Sequence, residues 1–470
     1  MASATFEQPD SPFPFVVSRD DRHGWGFGLL LATVATLFVR PADLIASFED
    51  WPLYQFAIIS CLVVSARTIF HQLSNRNLLA QPVSASLILL LVSVVLSHLS
   101  HGFVWGARMS LVECSKVAAL YVLILGLVNT PYRLIKFVQW LTMTITFVAG
   151  IALLDRFEFI TLSAMESIRD RGVIYSGSHS AEYVERIRGT GIFQDPNDFG
   201  LILVTGLVLS FSFLLRPNAG WLRHFWLVPC LILIGTLAMT HSRGALLSLV
   251  CAVPAAVTYR RSKLVGIVSL ISLPTLALFF SARMADVSSM VEGTGQSRIQ
   301  IWSESLTVWK QHPVFGLGEG LLVEELGVVA HNSFLHCFAE LGFVGGGAFV
   351  SCFLLAGIGL WQLRHWKLSE STSAAQRDVE KTTLYAEQFD HHRTYIFAVL
   401  VAYVAGILTL SRQFVMPTYL ILGLASAAFT IRSPSALRIR TGNRAIFICL
   451  IVSFASLMAF YTAVRVFLHR

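Results

Sequence analysis

The sequence predicts an all-α polytopic membrane protein with about 12–13 transmembrane helices and two long extracytoplasmic loops. Charged residues make up only 13% of the 470 residues, whereas a soluble globular chain carries about a quarter. Hydrophobic residues make up 55%, and the mean hydropathy is +0.65. Apolar stretches of roughly bilayer-spanning length recur from residue 25 to residue 464. This composition excludes an ordinary soluble globular protein.

Hydropathy places the transmembrane helices at 25–39, 52–66, 82–98, 114–128, 134–154, 199–215, 225–240, 244–258, 264–281, 334–361, 395–410, 417–431 and 445–464. With the N-terminus inside, more than half of the 35 lysines and arginines fall in inner segments. The short outer loops carry one each, at Arg40, Arg108, Arg243 and Arg412. The odd number of spans leaves two alternatives open: one short span is misplaced, or the C-terminus faces outward.

These spans divide the chain into a cytoplasmic tail (1–24), N-terminal membrane helices (25–154), a first periplasmic loop (155–198), central helices (199–281), a second periplasmic loop (282–333) and C-terminal helices (334–470) with a cytoplasmic loop at 362–394. The tail has no small-residue cleavage site, so we expect no removed signal peptide. All seven cysteines lie within or beside apolar stretches, and we expect them to be small buried side chains rather than disulfides or metal ligands. The formal charge of +7 serves orientation, and no nucleic-acid-binding motif accompanies it.

The first long loop ends in a helix start preceded by an arginine. Asp195 suits the cap position and Pro196 the first helical position, so a helix begins there. Arg188 lies shortly before, on a glycine-containing segment where backbone can approach a ligand closely. Its alternative role is pairing with acidic loop residues or lipid headgroups.

The second long loop contains a short amphipathic helix. Ser297 and Gln300 match a capping box, and Ile299, Trp302, Leu306 and Trp309 follow at helical spacing. Arg298 lies in the first turn, where a cation opposes the helix dipole but an anion would be bound favourably. The alternative is an arginine whose side chain reaches lipid phosphate. The glycines at 316, 318 and 320 are turn residues, because the strand and spacing of a dinucleotide site are absent.

A histidine stands at the mouth of the tenth predicted span. Asn332 can cap this helix, which places His331 at its positive end. That position disfavours imidazolium, so the ring is expected to be neutral and able to accept a proton near pH 7. A lone histidine there is more often a surface or capping residue. Glu340 and the glycines at 342, 345, 346 and 347 follow, and we expect the glycines to allow close helix packing.

At these residues the chain resembles the O-antigen ligase and polysaccharide polymerase superfamily of integral membrane enzymes. The ligase pattern of His, then Asn, Ser or Gln, nine residues and Gly-x-x-Gly is met by His331-Asn332 and Gly342-Phe-Val-Gly345. The superfamily also shows Arg298-x-x-Ile-Trp302, Pro313-x-x-Gly316-x-Gly318, Ser242-Arg243-Gly244 and Asp195-Pro196-Asn197. The resemblance covers roughly 188–347. Trp302 stands where a ligase pattern has Leu, so ligase and polymerase both remain open.

The resemblance implies a glycosyltransferase of surface polysaccharide biosynthesis in the bacterial inner membrane, with its active site facing the periplasm. Its donor would be a glycan on undecaprenyl diphosphate, and its acceptor lipid A core or another lipid-linked repeat. Arg188 and Arg298 would hold the diphosphate, with Arg243 a weaker candidate, and Asn332 would contact substrate. His331 would be the general base. The resemblance implies no metal or cofactor; membrane lipid and a chain-length regulator are the further partners.

Two other function classes compete with an enzyme. A transporter or flippase of lipid-linked oligosaccharide also needs basic residues and many helices. Such proteins usually show repeated halves and ionisable residues at the middle of the membrane, and this sequence shows neither. A purely structural membrane partner would not need the arginines and histidine. The enzyme is therefore the leading hypothesis.

Overall fold

The computed structural model describes residues 24–49, 51–73, 81–162, 165, 167–171, 183–217, 219–260, 296–365, 376–432 and 442–468. The predicted span 264–281 lies outside these residues. So does the predicted tail 1–24, apart from Gly24.

Within the described residues the fold is almost entirely helical, as predicted. In chain order the α-helices are α1 (Gly24–Val39), α2 (Pro41–Leu44), α3 (Leu53–Val64), α4 (Ala66–Gln72), α5 (Pro82–Leu99), α6 (Val104–Leu127), α7 (Pro131–Arg156), α8 (Pro196–Leu214), α9 (Leu227–Met239), α10 (Arg243–Arg260), α11 (Gln296–Gln311), α12 (Leu321–Leu326), α13 (Ser333–Gln362), α14 (Gln376–Ile407), α15 (Met416–Arg432) and α16 (Gly442–Leu468). Strands β1 (Ile168–Arg171) and β2 (Tyr183–Arg186) pair antiparallel within the predicted first loop.

Many of these helices are long and apolar enough to cross a bilayer. In the described part of the chain, seven segments meet that criterion: Pro82–Leu99, Val104–Leu127, Pro131–Arg156, Pro196–Leu214, Trp221–Met239, Ser333–Gln362 and Ile448–Val466. Three shorter apolar helices lie at Gly24–Val39, Leu53–Val64 and Met416–Ile431. The protein is therefore an all-α polytopic membrane protein, as the sequence predicts.

Two helices begin earlier than hydropathy places them. Helix α6 begins at Val104 rather than at 114. Charged residues lower the hydropathy of this stretch, but the helix carries them on exposed surface, where Lys116 pairs with Glu113 at 2.6 Å. Helix α14 begins at Gln376, inside the predicted loop 362–394. Hydropathy misses this start because polar residues of α14 are buried through hydrogen bonds: His392 Nδ1 lies 2.8 Å from Ser212 Oγ.

Side-chain caps fix the starts of helices that lead to the candidate site. Asp195 caps α8 by accepting hydrogen bonds from the Asn197 and Asp198 amides at 2.7 and 3.3 Å. Asn332 caps α13 through the Phe334 and Leu335 amides, both at 3.1 Å. Each cap satisfies amides that have no partner inside the helix. Both predicted caps are confirmed.

Helix α13 is kinked at Gly342, where φ is +63° and ψ is −163°. The turn at 313–318 fits into this kink. Phe343 N donates to Pro313 O at 2.8 Å and Val344 N to Val314 O at 3.2 Å. The turn returns two bonds: Leu317 N donates to Ala339 O at 3.0 Å, and Gly318 N donates to Glu340 O at 2.9 Å. Backbone groups that the kink releases are therefore satisfied by the turn.

Glycine is required on both sides of this junction. A Cβ at Gly342 would lie 2.2 Å from Val314 O, and a Cβ at Gly316 would lie 2.2 Å from Glu340 O. Both residues also have positive φ, which glycine adopts without strain. The expected packing role of Gly342 thus has a specific form: it lets the 313–318 turn enter the helix.

Candidate active site

His331 lies immediately before the cap of α13, with its backbone at φ +50°. A non-glycine residue in this region is uncommon and often found at functional sites. Burial lowers the pKa of the His331 imidazole, and the charges of Arg298 and Arg412 lower it further, while Asp195 opposes them. A lowered pKa favours the neutral form of the ring near pH 7.

Arg298 lies in the first turn of α11, and a neighbouring tryptophan fixes this helix beside His331. Trp302 Nε1 donates a 2.8 Å hydrogen bond to the carbonyl oxygen of Ala330, the residue before His331. Trp302 also contacts Phe460 of α16 edge-on, with ring centroids 5.2 Å apart. The predicted amphipathic helix is confirmed, and its apolar side packs against α13 and α16. Trp302 thus positions α11 beside His331. The presence of tryptophan where the ligase pattern has leucine did not suggest this role.

Arg412 is a further cation near His331 that sequence reasoning used only for orientation. Its Nε donates to Asp198 Oδ1, and its backbone amide donates to Ser333 Oγ at 2.8 Å. Ser333 Oγ donates to Leu410 O at 2.6 Å, so the 408–415 loop is bound to the first turn of α13. These bonds hold a guanidinium beside the imidazole. In the sequence, the one sign of this role is that Arg412 is an isolated arginine in a short loop between apolar spans.

Arg188 lies on the segment that leads into α8, and its guanidinium is incompletely bonded. Its Nε is buried and has no hydrogen-bond partner among the described residues. A buried charged donor without a partner is costly, so such a group is suited to binding an anion. Asp195, which acts on the pKa of His331, lies seven residues after Arg188.

Asn197 connects the starts of α8 and α10. Its Oδ1 accepts hydrogen bonds from Arg186 Nη2 at 2.8 Å and from Ser242 Oγ at 3.0 Å. Ser242 precedes Arg243, the first residue of α10, whose side chain is exposed. The structure therefore places Arg243 at the same end of the bundle as Arg188.

A buried histidine–carboxylate pair lies one turn inside α13. His336 Nε2 and Glu340 Oε1 are 3.0 Å apart, and both side chains are buried. Glu340 Oε1 also accepts from Gly320 N at 2.9 Å, and His336 Nδ1 lies 3.0 Å from Ser411 Oγ. The pair therefore connects α13 to the 408–415 loop on one side and to the glycine turn on the other. Sequence reasoning assigned Glu340 no role, although His336 lies one helical turn away; its other partner, Gly320, lies 20 residues earlier in the chain.

The structure brings His331, Asn332 and Arg298 together at one end of the bundle, with Arg412 added. Arg188 lies on the segment that precedes Asp195, and Arg243 follows Ser242, whose Oγ donates to Asn197 Oδ1. The oxygen of the Asn332 side chain is engaged in capping. All seven cysteines are free, and six are buried, as expected.

Comparison with protein families matches part of the chain. The family model described as O-antigen ligase matches residues 228–350, a region that contains Arg243, Arg298, His331 and Asn332 but not Arg188. No curated protein matches the chain. The family indicates a ligase- or polymerase-type enzyme of polysaccharide biosynthesis. Residues 228–350 of this multi-pass membrane protein are thus similar to the O-antigen ligase family.

Proposed function

We propose that the protein transfers a glycan from undecaprenyl diphosphate to a hydroxyl of an acceptor glycan. The observation that carries this proposal is the pairing of a neutral His331 with the cations Arg298 and Arg412, both close enough to lower its pKa. A neutral base beside fixed cations is suited to a reaction that removes a proton at one atom and releases an anion at another.

The reaction forms one bond and breaks another. The acceptor oxygen attacks the anomeric carbon of the donor sugar, and its proton passes to the His331 imidazole. The bond between the anomeric carbon and the diphosphate oxygen breaks, and the electron pair leaves with undecaprenyl diphosphate. Attack opposite the leaving group inverts the anomeric configuration.

Fixed guanidinium groups would stabilise the departing diphosphate. Arg188 and Arg298 are the proposed clamp, since the Arg188 Nε lacks a described partner and Arg298 stands beside the base. Arg412 adds charge but is already held by Asp198, so we assign it to orienting and polarising the site. Arg243 would contact outer parts of the donor, and Asn332 would hold His331 in place through the cap. The proposed reaction uses no metal or other cofactor.

The cellular setting is part of the same proposal. The site would face the periplasm from the bacterial inner membrane, and the prenyl tail would enter from membrane lipid. The acceptor would be lipid A core for a ligase or a second lipid-linked repeat for a polymerase. A chain-length regulator would be a partner in the polymerase case, and nucleic acid is not expected to bind.

The direct test is transfer by purified protein in nanodiscs with a lipid-linked glycan donor and both acceptor types. His331→Ala should bind donor as the wild type does but transfer at least a hundredfold more slowly, the contribution typical of a general base. His224→Ala is the matched control, because His224 is exposed and lies in a different turn. Wild-type transfer rates in His331→Ala would remove His331 from the reaction.

A further inference from the structure

A cavity of about 400 Å3 lies outside the His331 group, where α1 ends and α3 begins. This volume is within the range of small-molecule sites in proteins. Half of its lining residues have polar or aromatic side chains, among them Arg40, Glu49, Trp51, Tyr54 and Gln55, and the other half, among them Ile192, are aliphatic. None of these residues has a part in the reaction proposed above.

The cavity is joined to the segment that carries Arg188. Gly191 N donates a 2.7 Å hydrogen bond to Asp43 Oδ2, and Thr190 Oγ1 donates a 3.0 Å bond to Phe38 O at the end of α1. Ile192, which forms part of the cavity wall, follows Arg188 by four residues. A ligand held by Arg188 would therefore lie near this cavity, because Arg188 and Ile192 belong to the same short segment.

The backbone of the lining is held in an unusual conformation. Arg40 has φ +44° and ψ +79°, a region that non-glycine residues seldom adopt. Its Nε lies 3.3 Å from Asp43 Oδ1, and Gly191 is so close that a Cβ there would be 3.1 Å from Arg40 Cβ. Asp43 thus contacts both Arg40 and Gly191, a residue of the segment that carries Arg188. Strain of this kind is maintained where the surroundings fix it and is frequent at ligand sites.

The lining chemistry selects the ligand class. Arg40 supplies hydrogen-bond donors, Glu49 supplies acceptors and Gln55 supplies both. Arg40 is paired with Asp43, and Glu49 adds a second carboxylate, so the cavity has no net positive charge and a diphosphate gains little here. Trp51, whose side chain is 59% exposed, provides a flat apolar face with a polar edge. A ring that carries several hydroxyl groups, each both donor and acceptor, matches this combination.

We propose that this cavity binds a sugar ring of the glycan, away from the transferred bond, and so contributes to glycan specificity. The inference rests on the proposed function, because it places a second contact for the same substrate beside Arg188. Its lack of a net positive charge distinguishes it from the cationic group around His331, which would bind the diphosphate.

Binding can be measured without transfer. The probe is the lipid-free oligosaccharide released from the surface polysaccharide of the producing cell, titrated into the full-length protein in nanodiscs while tryptophan fluorescence is recorded. We expect a saturable signal that Trp51→Phe largely removes. Gln55→Ala should raise Kd about tenfold, the loss of one or two hydrogen bonds. Trp25→Ala is the matched control, because Trp25 is 83% exposed at the opposite end of α1, and it should bind as the wild type does.

The outcomes separate this inference from the proposed function. Unchanged affinity in Gln55→Ala, or an undiminished fluorescence signal in Trp51→Phe, would overturn the sugar site, even if the enzyme transfers glycan normally. Competition by inorganic diphosphate for the Trp51 signal would overturn it as well, since the cavity would then be an anion site. A wild-type protein that transfers no glycan, yet binds the oligosaccharide through Trp51, would refute only the proposed reaction. In active protein, Gln55→Ala should raise KM with kcat unchanged, because the contact is the same before and during transfer.

Discussion

Replacement of Gly342 by alanine tests whether the kink in α13 and the 313–318 turn form one unit. Alanine at φ +63° and ψ −163° costs about 1–3 kcal/mol in backbone strain. Its Cβ would also lie 2.2 Å from Val314 O, so the turn would have to move away. The hydrogen bonds from Phe343 N and Val344 N would then be lost, at about 1 kcal/mol each. The expected loss in unfolding free energy is about 3–5 kcal/mol.

The assay is unfolding of purified protein by SDS titration, followed by helical circular dichroism, together with glycan transfer. Gly316→Ala should reproduce both losses, because its Cβ would meet Glu340 O from the other side of the junction. Gly347→Ala is the control in the same helix, since the nearest atom to its Cβ would be Ser453 Oγ at 3.7 Å. Wild-type stability and activity in Gly342→Ala would refute the reasoning, as would an equal loss in Gly347→Ala.

Three further predictions concern the site itself. Arg298→Lys should reduce kcat nearly as much as Arg298→Ala, because lysine cannot form a bidentate contact with phosphate, and full activity in the lysine variant would show that charge alone suffices. Activity should fall on acidification only below pH 6.5, because the pKa of His331 is lowered and its neutral form persists above that pKa. Arg412→Ala should move this loss of activity to higher pH, because the variant lacks a charge that lowers the pKa of His331. An unchanged pH profile in Arg412→Ala would contradict this influence of Arg412. Glu340→Ala should destabilise the protein by about 2 kcal/mol in the same SDS titration, because Gly320 N and His336 lose their acceptor, while Glu340→Gln, which retains an oxygen, should lose less.

Local features of the site could be predicted from the sequence, whereas contacts between distant segments could not. The caps at Asp195 and Asn332 and the amphipathic helix around Trp302 depend on residues within one or two turns, and the structure confirms them. Arg412 pairs with Asp198 across 214 positions of the chain, which no local pattern indicates. The bond from Gly320 N to Glu340 likewise joins residues 20 positions apart, whereas the His336–Glu340 pair lies within one helical turn and was overlooked.

The two misplaced helix starts have a similar origin. Hydropathy treats each polar residue as exposed, but His391 and His392 are buried because Ser212 binds both. The role of Gly342 was missed in part because glycine clusters in membrane helices usually indicate close helix packing. Here the partner is the backbone of a turn nearly thirty residues earlier, which enters the helix and completes its hydrogen bonds.

The most direct measurement is a structure of the protein in nanodiscs with undecaprenyl diphosphate bound. We expect phosphate oxygens at about 2.7–2.9 Å from the guanidinium nitrogens of both Arg188 and Arg298. The His331 ring should lie on the sugar side of the diphosphate, free to contact an incoming hydroxyl. A diphosphate bound away from these arginines, or with His331 remote from its sugar-bearing oxygen, would contradict the proposed reaction.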